Sequence, residues 1–179
     1  TLITLVSFFV DICEMGLSAS LPRFLSSRET QGFPKKYSVI KSSLLIELTA
    51  LLIIAPVLFI FSTDLASILF ENNISSYANL IKLSILGVFV SGVYTLLYSI
   101  FTSQEQFTKG LLLSAIYSLP RVFILIILLK FSQLNLTNTI LIYFSGTVIA
   151  DIVGLGILNL KNIIASTVFP LAKILSFSI

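Results

Sequence analysis

Apolar residues run almost without interruption over 2–22, 41–61, 80–101, 111–131 and 138–158, and a further run begins near Leu171 and stops at Ile179. Each of the first five has roughly the 20 residues that carry an α-helix across bilayer hydrocarbon. A spanning β-barrel would instead show alternating strands of about ten residues, whereas these runs are continuously apolar. The pattern predicts an all-α polytopic membrane helix bundle over 1–158, with five full spans, followed by a linker and the start of a truncated sixth span over 159–179. Thr1 and Ile179 both fall inside apolar runs, so the chain reads as a piece of a longer protein.

Polar positions inside these runs recur at helical spacing. Thr4, Ser7, Asp11, Glu14 and Ser18 are three or four residues apart and form one stripe. Ser84, Ser91, Thr95, Tyr98 and Thr102 align in the third run, Ser114, Tyr117, Ser118 and Arg121 in the fourth, and Tyr143, Thr147, Asp151 and Gly154 in the fifth. Small and hydroxylated residues are also what lets membrane helices pack closely. The ionisable ones are harder to place in lipid, since Asp11, Glu14, Glu47, Arg121 and Asp151 would each cost about 2.5–3.5 kcal/mol at the centre of a lone helix. They must face protein or water. One arginine cannot neutralise four buried carboxylates, so a hydrated groove between helices is expected, with Asp11, Glu14, Glu47 and Asp151 as a polar or ion-coupling network. The plainer alternative is structural, the carboxylates pairing with Arg121 to hold helices together.

Charge sets the expected orientation. Basic residues near span ends mark the cytoplasmic side, and Arg23, Arg28, Lys35, Lys36, Lys41, Lys109 and Lys161 place the connections 23–40, 102–110 and 159–166 there. The connection 62–79 carries Asp64 and Glu71 instead and 132–137 has no basic residue, so both should face outward. Counted from the cytoplasmic end of each run at about 1.5 Å per residue, Glu47 and Asp151 lie about 9–11 Å deep, Glu14 about 12 Å, and Asp11 and Arg121 about 15–17 Å. All five therefore share one slab. Leu65, Ile68 and Leu69 have the spacing of a short helix lying on the outer membrane surface, with a simple loop as the close alternative. Asn73 and Asn135 begin glycosylation sequons in the two outer connections, a coincidence that chance explains more simply.

With 56% hydrophobic and 11% charged residues, lipid is the solvent that suits this surface. The net charge of +3 is accounted for by the cytoplasmic connections, which can touch anionic lipid, and nothing points to nucleic acid. There is no histidine and a single cysteine, Cys13, which leaves no metal cluster, no intrachain disulfide and no candidate catalytic set. No cofactor motif is present. Pro22, Pro56 and Pro120 punctuate the spans. Pro120 directly precedes Arg121, where a helix break would free carbonyls beside the cation, although simple kinking for packing is equally compatible.

The order of pieces also resembles a known family. Glu14-Met15-Gly16-Leu17, Ala19 and Pro22-Arg23-Phe24 resemble the segment closing the second helix of polysaccharide-type flippases, in the multidrug/oligosaccharidyl-lipid/polysaccharide exporter superfamily. Gly32-Phe33-Pro34-Lys35-Lys36, Leu65 to Phe70, Thr102 to Phe107 and Phe169-Pro170-Leu171 follow in the same order. The resemblance implies the N-terminal lobe of a two-lobed transporter in the cell membrane, from the second helix to the start of the seventh. It further implies translocation of a polyprenyl-linked oligosaccharide for cell-surface polysaccharide synthesis, with polysaccharide assembly proteins as partners. On that reading Arg121 would attract the diphosphate through its planar fork, and Tyr98, Tyr117 and Tyr143 would join it in binding substrate. Two alternatives stand beside it: a cation-coupled drug or metabolite antiporter of the same superfamily, with a smaller and more aromatic pocket, and a membrane enzyme acting on lipid-linked sugars. A structural subunit that pairs its charges with a partner helix is a third.

Overall fold

The computed structural model describes residues 2–14, 16–26, 33–69, 74–132, 135–158, 160–168 and 170. Eight helices make up this part of the chain: α1 (Leu2–Glu14), α2 (Leu17–Ser26), α3 (Phe33–Ile60), α4 (Ser62–Leu69), α5 (Ile74–Ser103), α6 (Phe107–Lys130), α7 (Leu136–Ile157) and α8 (Leu160–Ala165). No strand occurs among the described residues. Four helices are long and apolar enough to cross a membrane, over Lys35–Ile60, Tyr77–Ser103, Phe107–Lys130 and Leu136–Ile157. These correspond to the second to fifth predicted spans. The truncated sixth run, together with Met15, Arg28, Gly32, Phe70, Glu71, Asn73 and Phe169, lies outside the described residues.

The first predicted span departs from the expectation of one continuous helix over 2–22. It is two helices, because Gly16 takes φ 75°, a left-handed conformation that costs glycine nothing and other residues considerably more. α2 restarts at once, with Ala19 and Ser20 donating their N–H groups to the Gly16 carbonyl. The break turns Leu17, Leu21 and Phe24 into a core against Val39 and Ile40 of α3 and Leu97 and Phe101 of α5. Pro22 lies inside α2 and has no N–H for the carbonyl of Ser18, four residues earlier. Ser99 of α5 donates its hydroxyl to that carbonyl instead, at 3.1 Å.

α5 is the hub, touching α1, α2, α3, α4, α6 and α7, while α6 packs chiefly on α7. A second core joins Val6 and Val10 of α1, Leu51 and Leu58 of α3, Ala66 of α4 and Ile81 of α5. In lipid such contacts act through close packing and hydrogen bonding, since the surrounding chains are as apolar as the helices. Accordingly Leu119, Val122, Phe123 and Ile126 of α6 are left exposed. α6 runs unbroken through Pro120, so of the two readings of that proline the helix break beside Arg121 is absent. The short helix read around Leu65 and Ile68 is α4, which buries Ser62 and Ala66 and exposes Ile68.

Lys41, read as a charge at a span edge, has a structural task. Its Nζ donates to the carbonyls of Ile164 at 2.8 Å and Ser166 at 2.7 Å, and the Ser38 hydroxyl donates to the Thr167 carbonyl at 2.6 Å. A cation at a helix C-terminus satisfies orphan carbonyls and complements the dipole. Lys41→Met should therefore lower hydrogen-exchange protection of 160–167 by about tenfold, the loss of roughly 1.5 kcal/mol expected for a charge-assisted bond. Unchanged protection there would show that the contact holds nothing in place.

Candidate functional site

Between α1, α2, α5, α6 and α7 lies a cleft of about 340 Å³. The first helix pair contributes Ser7, Asp11, Glu14 and Ser18, α5 contributes Ser91, Tyr94 and Thr95, and Tyr117 and Tyr143 come from α6 and α7. Val6 and Val10 complete the wall. Of the polar stripe read on the first span, Ser7, Asp11, Glu14 and Ser18 thus line the cleft, Ser7 and Asp11 as exposed residues, and Thr4 does not. The Gly16 break leaves Glu14 at the last position of α1 and Ser18 in α2, where the Ser18 hydroxyl donates to Glu14 Oε2 at 2.6 Å. Glu14 is buried, and its Oε1 has no hydrogen-bond partner among the described residues.

Two of the cleft tyrosines are held by Arg121. Its guanidinium carbon sits 3.4 Å from the Tyr117 ring centroid and 4.0 Å from that of Tyr143. Its Nη2 donates to Thr147 Oγ1 at 2.6 Å. Each cation–π contact is worth about 0.5–2 kcal/mol, more as water is excluded. Tyr94 stacks on Tyr117 with centroids 4.3 Å apart and on Tyr98 at 6.2 Å. The result is a ladder of rings with a cation set into it, three of whose tyrosines, Tyr94, Tyr117 and Tyr143, line the cleft.

Gly146 makes this possible. A Cβ at that position would lie 2.3 Å from the Tyr117 carbonyl oxygen, 2.7 Å from Arg121 Cγ and 2.9 Å from its Nε. Those distances are far inside van der Waals contact, so only glycine lets the α6 backbone and the Arg121 side chain pass so close to α7.

The expected residues do not all meet. Asp11, Glu14, Tyr117 and Tyr143 line the cleft, and Arg121 is clasped by two of its lining rings without lining it. Tyr98 reaches the ladder only through Tyr94 and is 40% exposed. Glu47 and Asp151 line a different pocket, between α3, α5 and α7, so a single groove solvating all the charges is not what forms. Nor do the carboxylates glue to Arg121: among the described residues its partners are Thr147 and two rings. The residue that sequence reading missed is Tyr94. It stands three residues after Ser91 and four before Tyr98, on the stripe already identified, where its place on that face was the available signal.

Among the described residues no group of three or more His, Cys, Asp or Glu could hold a metal ion. Chemically the cleft offers carboxylate and hydroxyl acceptors, hydroxyl donors and flat aromatic faces, with no lysine or arginine among the described residues of its wall. Comparison of the chain with protein-family profiles, with curated proteins and with solved structures finds no match.

Proposed function

We propose that this protein moves a lipid-linked oligosaccharide across a cell membrane, the cleft carrying the sugar while the prenyl chain stays in lipid. The observation that carries this reading is the combination of carboxylates, hydroxyls and tyrosine faces in one cleft of an apolar bundle. Sugar hydroxyls dragged through hydrocarbon without partners cost several kcal/mol each. Asp11, Glu14, Ser7, Ser91 and Thr95 supply such partners, and the Tyr94, Tyr117 and Tyr143 rings supply surfaces for the C–H faces of a pyranose. Arg121 keeps two of those rings in place. In this reading α1 and α2 form a fifth crossing, broken at Gly16. The chain is then the N-terminal lobe of a two-lobed transporter whose basic connections face the cytoplasm.

The test uses proteoliposomes containing a fluorescent lipid-linked oligosaccharide and an impermeant external quencher. Protein-dependent exchange between leaflets is expected. The double variant Asp11→Asn, Glu14→Gln should slow it at least about tenfold, since charge-assisted hydrogen bonds are worth about 1.5–3 kcal/mol each. Exchange at the wild-type rate would remove the carboxylates from the path.

One observation favours a second reading. A wall whose described residues include two carboxylates, three tyrosines and no basic side chain also suits an organic cation, by charge and by cation–π attraction. The same vesicles would then expel tetraphenylphosphonium against a gradient while the oligosaccharide stayed in its leaflet.

A further inference from the structure

A groove of about 420 Å³ runs along the surface between α3 and α5, with walls that include Leu52, Ala55, Phe59 and Ile60 of α3 and Leu86 and Phe89 of α5. Every described residue that lines it is apolar, and Leu52, Ile60 and Leu86 are exposed. What sets this groove apart from an ordinary hydrocarbon surface is a cation at one end. Lys82 stands one helical turn before Leu86 on α5, and its Nζ lies 5.4 Å from the centroid of the Phe59 ring, itself part of the wall. It is half-buried inside the apolar helix Tyr77–Ser103, and among the described residues it forms no ion pair. An ammonium placed there is costly unless its stem lies along apolar surface and its head reaches an anion or water.

We propose that this groove holds an acyl chain of an anionic phospholipid whose phosphate pairs with Lys82. Length and charge both argue for that occupant. Residues 52–60 of α3 rise about 12 Å, close to the ~15 Å of hydrocarbon in one leaflet. The cation stands beside Phe59, at the end where α3 passes into α4. The far end is marked by Leu51, which lines the groove and whose Cδ1 would lie 3.2 Å from a Cβ on Gly92, three residues past Phe89. A lipid chain therefore starts at a charged end and finishes at an apolar one. The headgroup is selected because a zwitterionic lipid carries its own cation for the phosphate, whereas an anionic lipid leaves that charge to Lys82. No described residue lines both this groove and the cleft, so the inference does not rest on what the cleft carries.

The chain has no tryptophan, so Leu52→Trp places a single reporter at the lip of the groove. In phosphatidylcholine vesicles holding this variant, lipid brominated on its acyl chain should quench the tryptophan at a mole fraction about fivefold lower when it is phosphatidylglycerol than when it is phosphatidylcholine. Adding Lys82→Gln should remove that difference, and Lys82→Arg should keep it. Ala55→Phe, which fills the groove and leaves the cation in place, should also abolish it and decides the matter if the Lys82→Gln protein does not fold. Leu119→Trp, on the exposed face of α6, should show no preference. Equal quenching by the two lipids at Leu52→Trp, a preference that survives Lys82→Gln or Ala55→Phe, or the same preference at Leu119→Trp would overturn the proposal. So would the absence of quenching by either lipid, the result expected if a second copy of the chain covers the groove. Relief of quenching by a polyprenyl phosphate but not by unbrominated phosphatidylglycerol would likewise overturn it and give the groove to the prenyl lipid.

Discussion

Gly146→Ala should lower the Tm of the purified protein by roughly 6–12 °C, from overpacking of about 3 kcal/mol in a chain of this size. The clash is with backbone. The Tyr117 carbonyl oxygen lies 2.3 Å from where the methyl would go, and it cannot rotate away as a side-chain tip would. α6 and α7 must separate, and Arg121, whose Cγ and Nε are almost as close, must leave its place between Tyr117 and Tyr143. α6 has α7 as its main neighbour and α5 as a lesser one, so few other contacts share the damage. Gly156→Ala is the matched control: nothing lies within 4 Å of a Cβ there, and alanine is the better helix former by about 1 kcal/mol. It should leave Tm unchanged or raise it. A Gly146→Ala protein as stable as wild type would mean that the two helices are not so close.

Arg121→Ala should reduce oligosaccharide exchange at least about thirtyfold, the equivalent of roughly 2 kcal/mol in the barrier. Removing the guanidinium leaves Tyr117 and Tyr143 without the flat cation 3.4 and 4.0 Å from their centroids, and Thr147 without the donor at 2.6 Å. Both rings then lose the contact that fixes them at the cleft. Arg121→Lys keeps the charge and loses the plane, and one ammonium cannot stack between two rings. It should recover only a minor part of the exchange. Full activity in Arg121→Lys would show that charge alone matters, and full activity in Arg121→Ala would show that the ladder has no part in transport.

The four long helices were legible because continuous apolar runs of spanning length have few other solutions. Their ends were less so: α3 begins at Phe33 and α5 at Ile74, before the hydrophobic runs do, because a helix continues past hydrocarbon wherever caps and neighbours satisfy its backbone. The interruption at Gly16 was hidden, as glycine is ordinary in membrane helices and only its positive φ distinguishes this one. The inward stripe of α1 could be read from spacing alone. What spacing could not supply was the partner across the gap. Arg121 and Thr147 were each marked, yet their hydrogen bond depends on Gly146, a residue with no chemistry of its own. Lys41 looked like no more than a span-edge charge, since its acceptors at Ile164 and Ser166 are far along the chain. Glu47 and Asp151 were placed at one depth, and they do line one pocket. Depth could not say that Glu47 and Asp151 would line a different pocket from Asp11 and Glu14.

The most direct measurement of the transport claim plugs the cleft. Ser91 lines it, half-buried on α5, whereas Leu119 stands 68% exposed on the outer face of α6. Leaflet exchange of the fluorescent lipid-linked oligosaccharide should fall to the protein-free rate in Ser91→Trp and stay at the wild-type rate in Leu119→Trp, with both proteins equally abundant in the vesicles. Exchange that persists in Ser91→Trp would contradict the assignment of this cleft as the path of the sugar.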